Sequence, residues 1–255
     1  MVLTAQQLAA LMPDATQLES NEPEMESSLH YAQLALLMAC LEWLWSEAQP
    51  LPIADRPSDF FLGANLTIYF SREQLKNRDF RGPDFFLVKG VENRPRRSWV
   101  VWEEGGQYPD LIIELLSSST AQVDRTLKKA LYQDRFRTPE YFWFSPETLE
   151  FEGFHLVDRC YKPIVATEQG WRWSQVLGLY LGVCNGQLRY FLETGELVPT
   201  PTEAAMQAQS QAQQAQFQAQ QAQFQAQQAE ARSQRLAERL KALEIDPDES
   251  NFPAS

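Results

Sequence analysis

The sequence predicts a mixed α/β (α+β) domain, a central mixed sheet flanked by helices, with a long helix appended at its C-terminal side. Three observations carry this. Short apolar runs bounded by turn residues, "FFLGANLTIYF", "DFFLVKG", "SWVVWEE" and "DLIIELL", read as strands. Two longer stretches between Ser or Thr caps and proline stops read as helices. From Thr202 the composition turns abruptly to Ala and Gln. With 255 residues, 44% of them hydrophobic, the chain can bury one sizeable core and carry an appendage.

Residues 1–26 are polar and acidic, hold Pro13 and Pro23, and are expected to form a loosely ordered lead-in. "SSLHYAQLALLMACLEWLWSEA" opens on two capping serines, Ser27 and Ser28, and is apolar nearly all round, which predicts a buried helix from Leu29 to about Ala48. After Pro50, Pro52 and Pro57 come the four apolar runs, expected as strands of one sheet. "SSSTAQVDRTLKKALYQDRFRTPEY" then predicts a capped helix that stops at Pro139. "EYFWF" is the returning strand, "LEFEGFHLV" and "CYKPIVAT" a hairpin, and "WRWSQVLGLYLGV" and "QLRYFL" extend the β-rich part to Pro201. The predicted domain therefore spans 27–201, with helices covering its sheet.

The segment 202–245 repeats "AQQAQFQ" twice in succession, and Ala205, Ala208, Ala212, Ala215, Ala219, Ala222, Ala226, Ala229, Ser233, Leu236, Leu240 and Leu243 alternate spacings of three and four. That is a heptad seam, expected as a coiled coil about 63 Å long whose leucine end does most of the pairing. Phe217 and Phe224 lie on the face away from the alanines. The plainer alternative is a low-complexity helix that frays in isolation. Residues 246–255 are expected as a disordered tail.

Composition removes several function classes. No run of ~18 apolar residues suits a membrane span, and the N-terminal stretch lacks the basic start and long apolar centre of a secretory signal, so the expected setting is the cytoplasm with no membrane partner. Cys40, Cys160 and Cys184 are scattered, and with only His30 and His155 beside them no zinc spacing appears. A net charge of −12 argues against tight nonspecific binding to phosphates. The cations cluster, however: Arg72, Lys76, Arg78 and Arg81; Arg94, Arg96 and Arg97; Arg125, Lys128, Lys129, Arg135 and Arg137. They allow a local basic face, or simply solvated loop and helix charges.

Within "YPDLIIELLSSST" the carboxylates of Asp110 and Glu114 interrupt a strand core, and a buried Glu without a partner is costly. Four residues apart on a strand they share a face but stand ~13 Å apart, too far to hold one ion together. Asp84 in "GPDFF", also preceded by proline and also opening an apolar run, is the candidate partner for Glu114. Two carboxylates converging from adjacent strands suit Mg²⁺ or Mn²⁺, while Asp84 and Asp110 read equally well as corner residues. Asp124, Lys128 and Tyr132 follow at i, i+4 and i+8, one helical stripe. Its lysine could orient water and offset transition-state charge, or form only a surface pair with Asp124. Ser117 and Thr120 have no base at a recognisable spacing and read as strand-end and cap residues.

Taken together, Asp84 in "GPDFF", "PDLIIELLSSST", "DRTLKKALY" and "TPEYFWFSP" resemble the Uma-two family of bacterial restriction-endonuclease-like proteins, a former domain of unknown function assigned to the PD-(D/E)XK nuclease superfamily. The resemblance covers roughly residues 20–200, and the heptad tail is similar to the coiled-coil extension that many members carry. It implies a restriction-endonuclease-like core, Asp84 and Glu114 as metal ligands and Lys128 as catalytic lysine. In the wider superfamily the lysine stands two residues after the acidic one, where this chain has Leu116, so Lys128 must reach the same spot from the following helix. Glu26 stands where the superfamily often has a helix glutamate. The implied activity is Mg²⁺-dependent cleavage of nucleic acid, DNA first among substrates, by a homo-oligomer joined through its C-terminal helix. The alternative is a catalytically silent nuclease-fold module that binds or assembles through that helix.

Overall fold

The computed structural model describes residue 4 and residues 18–20, 27–46, 59–71, 82–117 and 121–242. The chain divides into two compact units, Met1–Thr200 and Pro201–Ser255. In the first, helix α1 (Ser28–Leu44) starts at Ser27, whose hydroxyl accepts from the His30 amide, and its buried face runs His30, Gln33, Leu34, Leu37, Cys40, Leu41 and Leu44. It is not buried all round: Leu29 and Tyr31 are exposed, and the helix ends four residues before Ala48. The apolar surplus of its sequence is thus partly spent on solvent-facing positions.

The main sheet holds strands β1 (Phe60–Ala64), β3 (Phe85–Lys89), β5 (Leu111–Leu115), β6 (Glu140–Phe144), β7 (Phe151–Val157) and β8 (Cys160–Pro163), paired side by side in that order. All neighbours are antiparallel except β5 and β6, which are joined by helix α2 (121–136). Alternation sorts the two faces. Leu111, Ile113, Leu115, Phe142 and Phe144 pack toward α1 and a small antiparallel sheet of β9 (Arg172–Ser174), β10 (Leu179–Cys184) and β11 (Gln187–Phe191). Ile112, Tyr141 and Trp143 pack with Tyr132 and Phe136 of α2 and with Trp99. Gly63 stands opposite Phe86 in the register, where a Cβ would lie 2.1 Å from the ring, so only glycine admits that side chain.

The four apolar runs do not form one sheet. "FFLGANLTIYF" breaks at Asn65, which adopts φ 44°, and its second half, β2 (Ile68–Tyr69), pairs in parallel with β4 (Trp99–Val100). "SWVVWEE" is strand for only two residues, because a turn over 101–106 with left-handed Gly105 and Gly106 follows. Residues 18–20 of the lead-in lie against this pair: the Tyr69 hydroxyl donates to the Glu19 carbonyl at 2.7 Å and the Ser98 hydroxyl to that of Leu18 at 2.7 Å.

The second unit contains helix α3 (Pro201–Ala242), with proline in its first turn and no buried residue. Phe217 and Phe224 are each 62% exposed. The expected tail at 246–255 lies outside the described residues.

Candidate active site

Strand β5 must place Glu114 on the α2 face, because its neighbours Ile113 and Leu115 point to the other. Extending the β3–β5 register one step from Phe85 and Ile113 sets Asp84 opposite Glu114. The two carboxylates interlock with the backbone: Asp84 Oδ2 accepts from the Leu115 amide at 2.7 Å, and Glu114 Oε2 from the Asp84 amide at 3.3 Å. Helix α2 supplies the rest. Two stretches of wide π turns, Asp124–Lys128 and Tyr132–Phe136, lie on either side of a short α-helical segment. Such widenings recur at functional sites. Lys128 Nζ lies 3.0 Å from Glu114 Oε2 and 3.0 Å from Asp124 Oδ1. The Tyr132 hydroxyl donates to Glu114 Oε1 at 2.7 Å, and the Tyr141 hydroxyl to the Asp124 carbonyl at 2.9 Å.

The cluster is buried and short of positive charge: Glu114 is 0% exposed and Asp124 1%. Burial pushes Glu114 up to about 8, with Lys128 opposing and Asp84 reinforcing the shift. Burial likewise raises Asp84 against the pull of Lys128. Burial alone would lower Lys128, but the charges of Glu114, Asp124 and Asp84 outweigh it and hold the ammonium well above the usual lysine range. Tyr132 is raised by burial and then by Glu114, so its phenol stays a donor. One ammonium thus faces two carboxylates that burial raises above their ordinary range, with Asp124 beside them.

Among the described residues no group of three or more His, Cys, Asp and Glu stands ready to hold a metal ion. Asp84 and Glu114 nevertheless fit a magnesium-type ion, which keeps several waters and needs only one or two protein carboxylates. The charge deficit around Lys128 is what such an ion would fill.

The structure thus brings together Asp84, Glu114, Asp124, Lys128 and Tyr132, and sets Asp110 apart. Asp110 Oδ2 accepts from the Lys89 amide at 2.7 Å at the other end of β5, the role of a corner residue. Glu26 lies outside the described residues, as do Thr120 and the cations at 72, 76, 78 and 81. Several described cations of the basic face are paired: Arg96 contacts Glu104 at 2.6 Å and stacks over Phe61 and Trp99, Arg94 also reaches Glu104, and Arg97 reaches Glu19. Arg125 pairs with Glu150.

Sequence reasoning missed two groups. His30 links α1 to the strand end: its Nε2 donates to the Leu116 carbonyl at 3.3 Å, and its Nδ1 shares a hydrogen bond with the Ser27 hydroxyl at 2.8 Å. Glu140, on the opposite face, accepts from the Ser174 hydroxyl and the Gln175 amide. The signal for Glu140 was present, since it too is a carboxylate opening an apolar strand after proline.

A mixed sheet flanked by helices, with interlocked carboxylates at its interior strands and a lysine from the next helix, is the α/β class that this fold and site define. The family model described as "Putative restriction endonuclease", Uma2, matches residues 21–185, and the chain belongs to that family. Among solved structures, one described as a "putative nuclease belonging to DUF820" from Anabaena variabilis ATCC 29413 is 12% identical. The match covers 69% of this chain and 91% of that chain, with a TM-score of 0.42. No curated protein matches the chain. Among the described residues no helix is long and apolar enough to cross a membrane.

Proposed function

We propose that this protein is a Mg²⁺- or Mn²⁺-dependent endonuclease that hydrolyses phosphodiester bonds of nucleic acid, DNA foremost. The observation that carries this reading is the Lys128 ammonium, 3.0 Å from both Glu114 Oε2 and Asp124 Oδ1, beside an Asp84 carboxylate interlocked with the Glu114 strand. Asp84 and Glu114 would hold the cation, which would supply Lewis-acid charge to the phosphate and acidify water. Lys128, whose ammonium the surrounding carboxylates favour, would serve as donor and counter-charge to water and phosphate oxygens. Asp124 fixes the lysine from behind. The cytoplasm is the setting of this reading, supported by the scattered positions of Cys40, Cys160 and Cys184 in the sequence. The helix Pro201–Ala242, with its heptad seam and exposed length, supports self-association that would pair two sites for double-strand cutting.

Cleavage of supercoiled plasmid with Mg²⁺, Mn²⁺ or EDTA tests the proposal, using wild type beside Glu114→Gln and Lys128→Ala, each shown to be folded. Metal-dependent nicking lost in both variants is expected. No cleavage by the wild type across metals and substrates would instead favour a silent binding module, a reading that the overall charge of −12 already supports.

A further inference from the structure

We propose that Tyr132 is the positioning residue of this site: its phenol fixes the orientation of the Glu114 carboxylate for binding a divalent cation. This rests on the reading of Asp84 and Glu114 as ligands. Glu114 Oε2 is shared by Lys128 at 3.0 Å and the Asp84 amide at 3.3 Å, whereas Oε1 receives the Tyr132 hydroxyl at 2.7 Å. The terminal torsion of a glutamate is broad, so a carboxylate held through one oxygen swings, and one held through both does not. The phenol is itself rigid. It is 0% exposed, and its ring contacts Phe136 at 5.3 Å and Tyr141 at 5.4 Å between centroids. It lies one turn beyond Lys128 at the start of the second wide turn, so one helix grips both oxygens of one carboxylate. A donor that only satisfied a buried acceptor would affect stability; one that orients a ligand must also affect how tightly the ion is held.

The test is Mn²⁺ binding to the full chain by titration calorimetry, with Mn²⁺ alone as the probe, for wild type, Tyr132→Phe and Tyr161→Phe. Tyr132→Phe keeps the ring and both ring contacts, so the fold is retained. Tyr161→Phe removes another buried hydroxyl, bonded to the Thr138 carbonyl in the same aromatic cluster, without touching Glu114. The expected result is a roughly 10- to 100-fold loss of Mn²⁺ affinity in Tyr132→Phe. Tyr161→Phe should stay within about twofold of wild type at a comparable fall in Tm. In plasmid cleavage, Tyr132→Phe should raise the half-saturating Mg²⁺ concentration and recover most of the rate at saturation. Wild-type binding that Tyr132→Phe leaves within about twofold would overturn this role while leaving the metal site intact. A wild type that takes up no Mn²⁺ would remove the metal reading and this role with it.

Discussion

Two buried glutamates on neighbouring strands, Glu114 and Glu140, solve the same problem in opposite ways. Glu140 faces the small sheet, where the Ser174 hydroxyl donates to Oε2, and the Gln175 and Val176 amides reach Oε1 at 2.7 and 3.4 Å. Burial raises Glu140 as it raises Glu114, but these donors and the Lys89 ammonium, itself bonded to the Val176 carbonyl, oppose the shift. Glu114 faces α2, where other carboxylates crowd it and one lysine must serve them all. Fixed dipoles surround the first, and it closes a turn. The second is left with a charge deficit that no packing purpose requires, and this difference separates a structural carboxylate from a candidate ligand.

The sharpest way to break the comparison is to remove the cation. Lys128→Met leaves Asp84, Glu114 and Asp124 buried without their ammonium, and at pH 8 in EDTA this should cost about 3 to 5 kcal/mol in urea unfolding. The loss should shrink toward pH 5, as the carboxylates protonate. A pH-independent loss would mean that Lys128 acts through packing alone. Next in size, Glu140→Gln should cost about 1.5 to 3 kcal/mol, because an amide oxygen replaces an anionic acceptor. It should leave plasmid cleavage at the wild-type rate. A silent Glu140→Gln would show that the turn at 174–177 holds without it.

How much of this was legible depended on whether geometry follows from spacing. Asp84 and Glu114 could be paired because each is a carboxylate in or beside an apolar run, and a register that joins the runs must bring them together. Lys128 and Tyr132 could be placed on one stripe by their four-residue separation. That both reach the same carboxylate depends on two wide turns, and nothing in "DRTLKKALYQDRF" marks them. The expectation of one sheet failed at Asn65 and at Gly105 and Gly106, where left-handed backbone redirects chain whose composition still reads as strand. Glu140 opens its strand as Asp84 does, but its partners Ser174 and Gln175 lie more than thirty residues on, where no spacing ties them to it.

A pH titration sharpens the contrast further. Glu114 has its folded pKa raised from 4.5 to about 8, so the folded state holds this proton more tightly than the unfolded chain. Its contribution to stability is complete below about pH 4.5 and is lost as pH rises through about 8, at up to ~1.4 kcal/mol per pH unit. Glu114→Gln should flatten that slope in EDTA. An unchanged slope would place the excess proton on another group.

The smallest effect is expected at Asp110. Asp84 and Asp110 are alike in sequence, each following a proline and each opening a strand of the same antiparallel pair. The structure sets Asp84 against Glu114, and Asp110 over the Lys89 amide at the far end. Asparagine keeps an oxygen acceptor for that amide and loses only its charge. Asp110→Asn should therefore cost under about 1 kcal/mol and leave cleavage unchanged, whereas Asp84→Asn, matched in chemistry, should abolish cleavage. Equal loss of cleavage in the two would mean that the site extends along the whole of β5, and that the charge deficit around Lys128 is not what sets it apart.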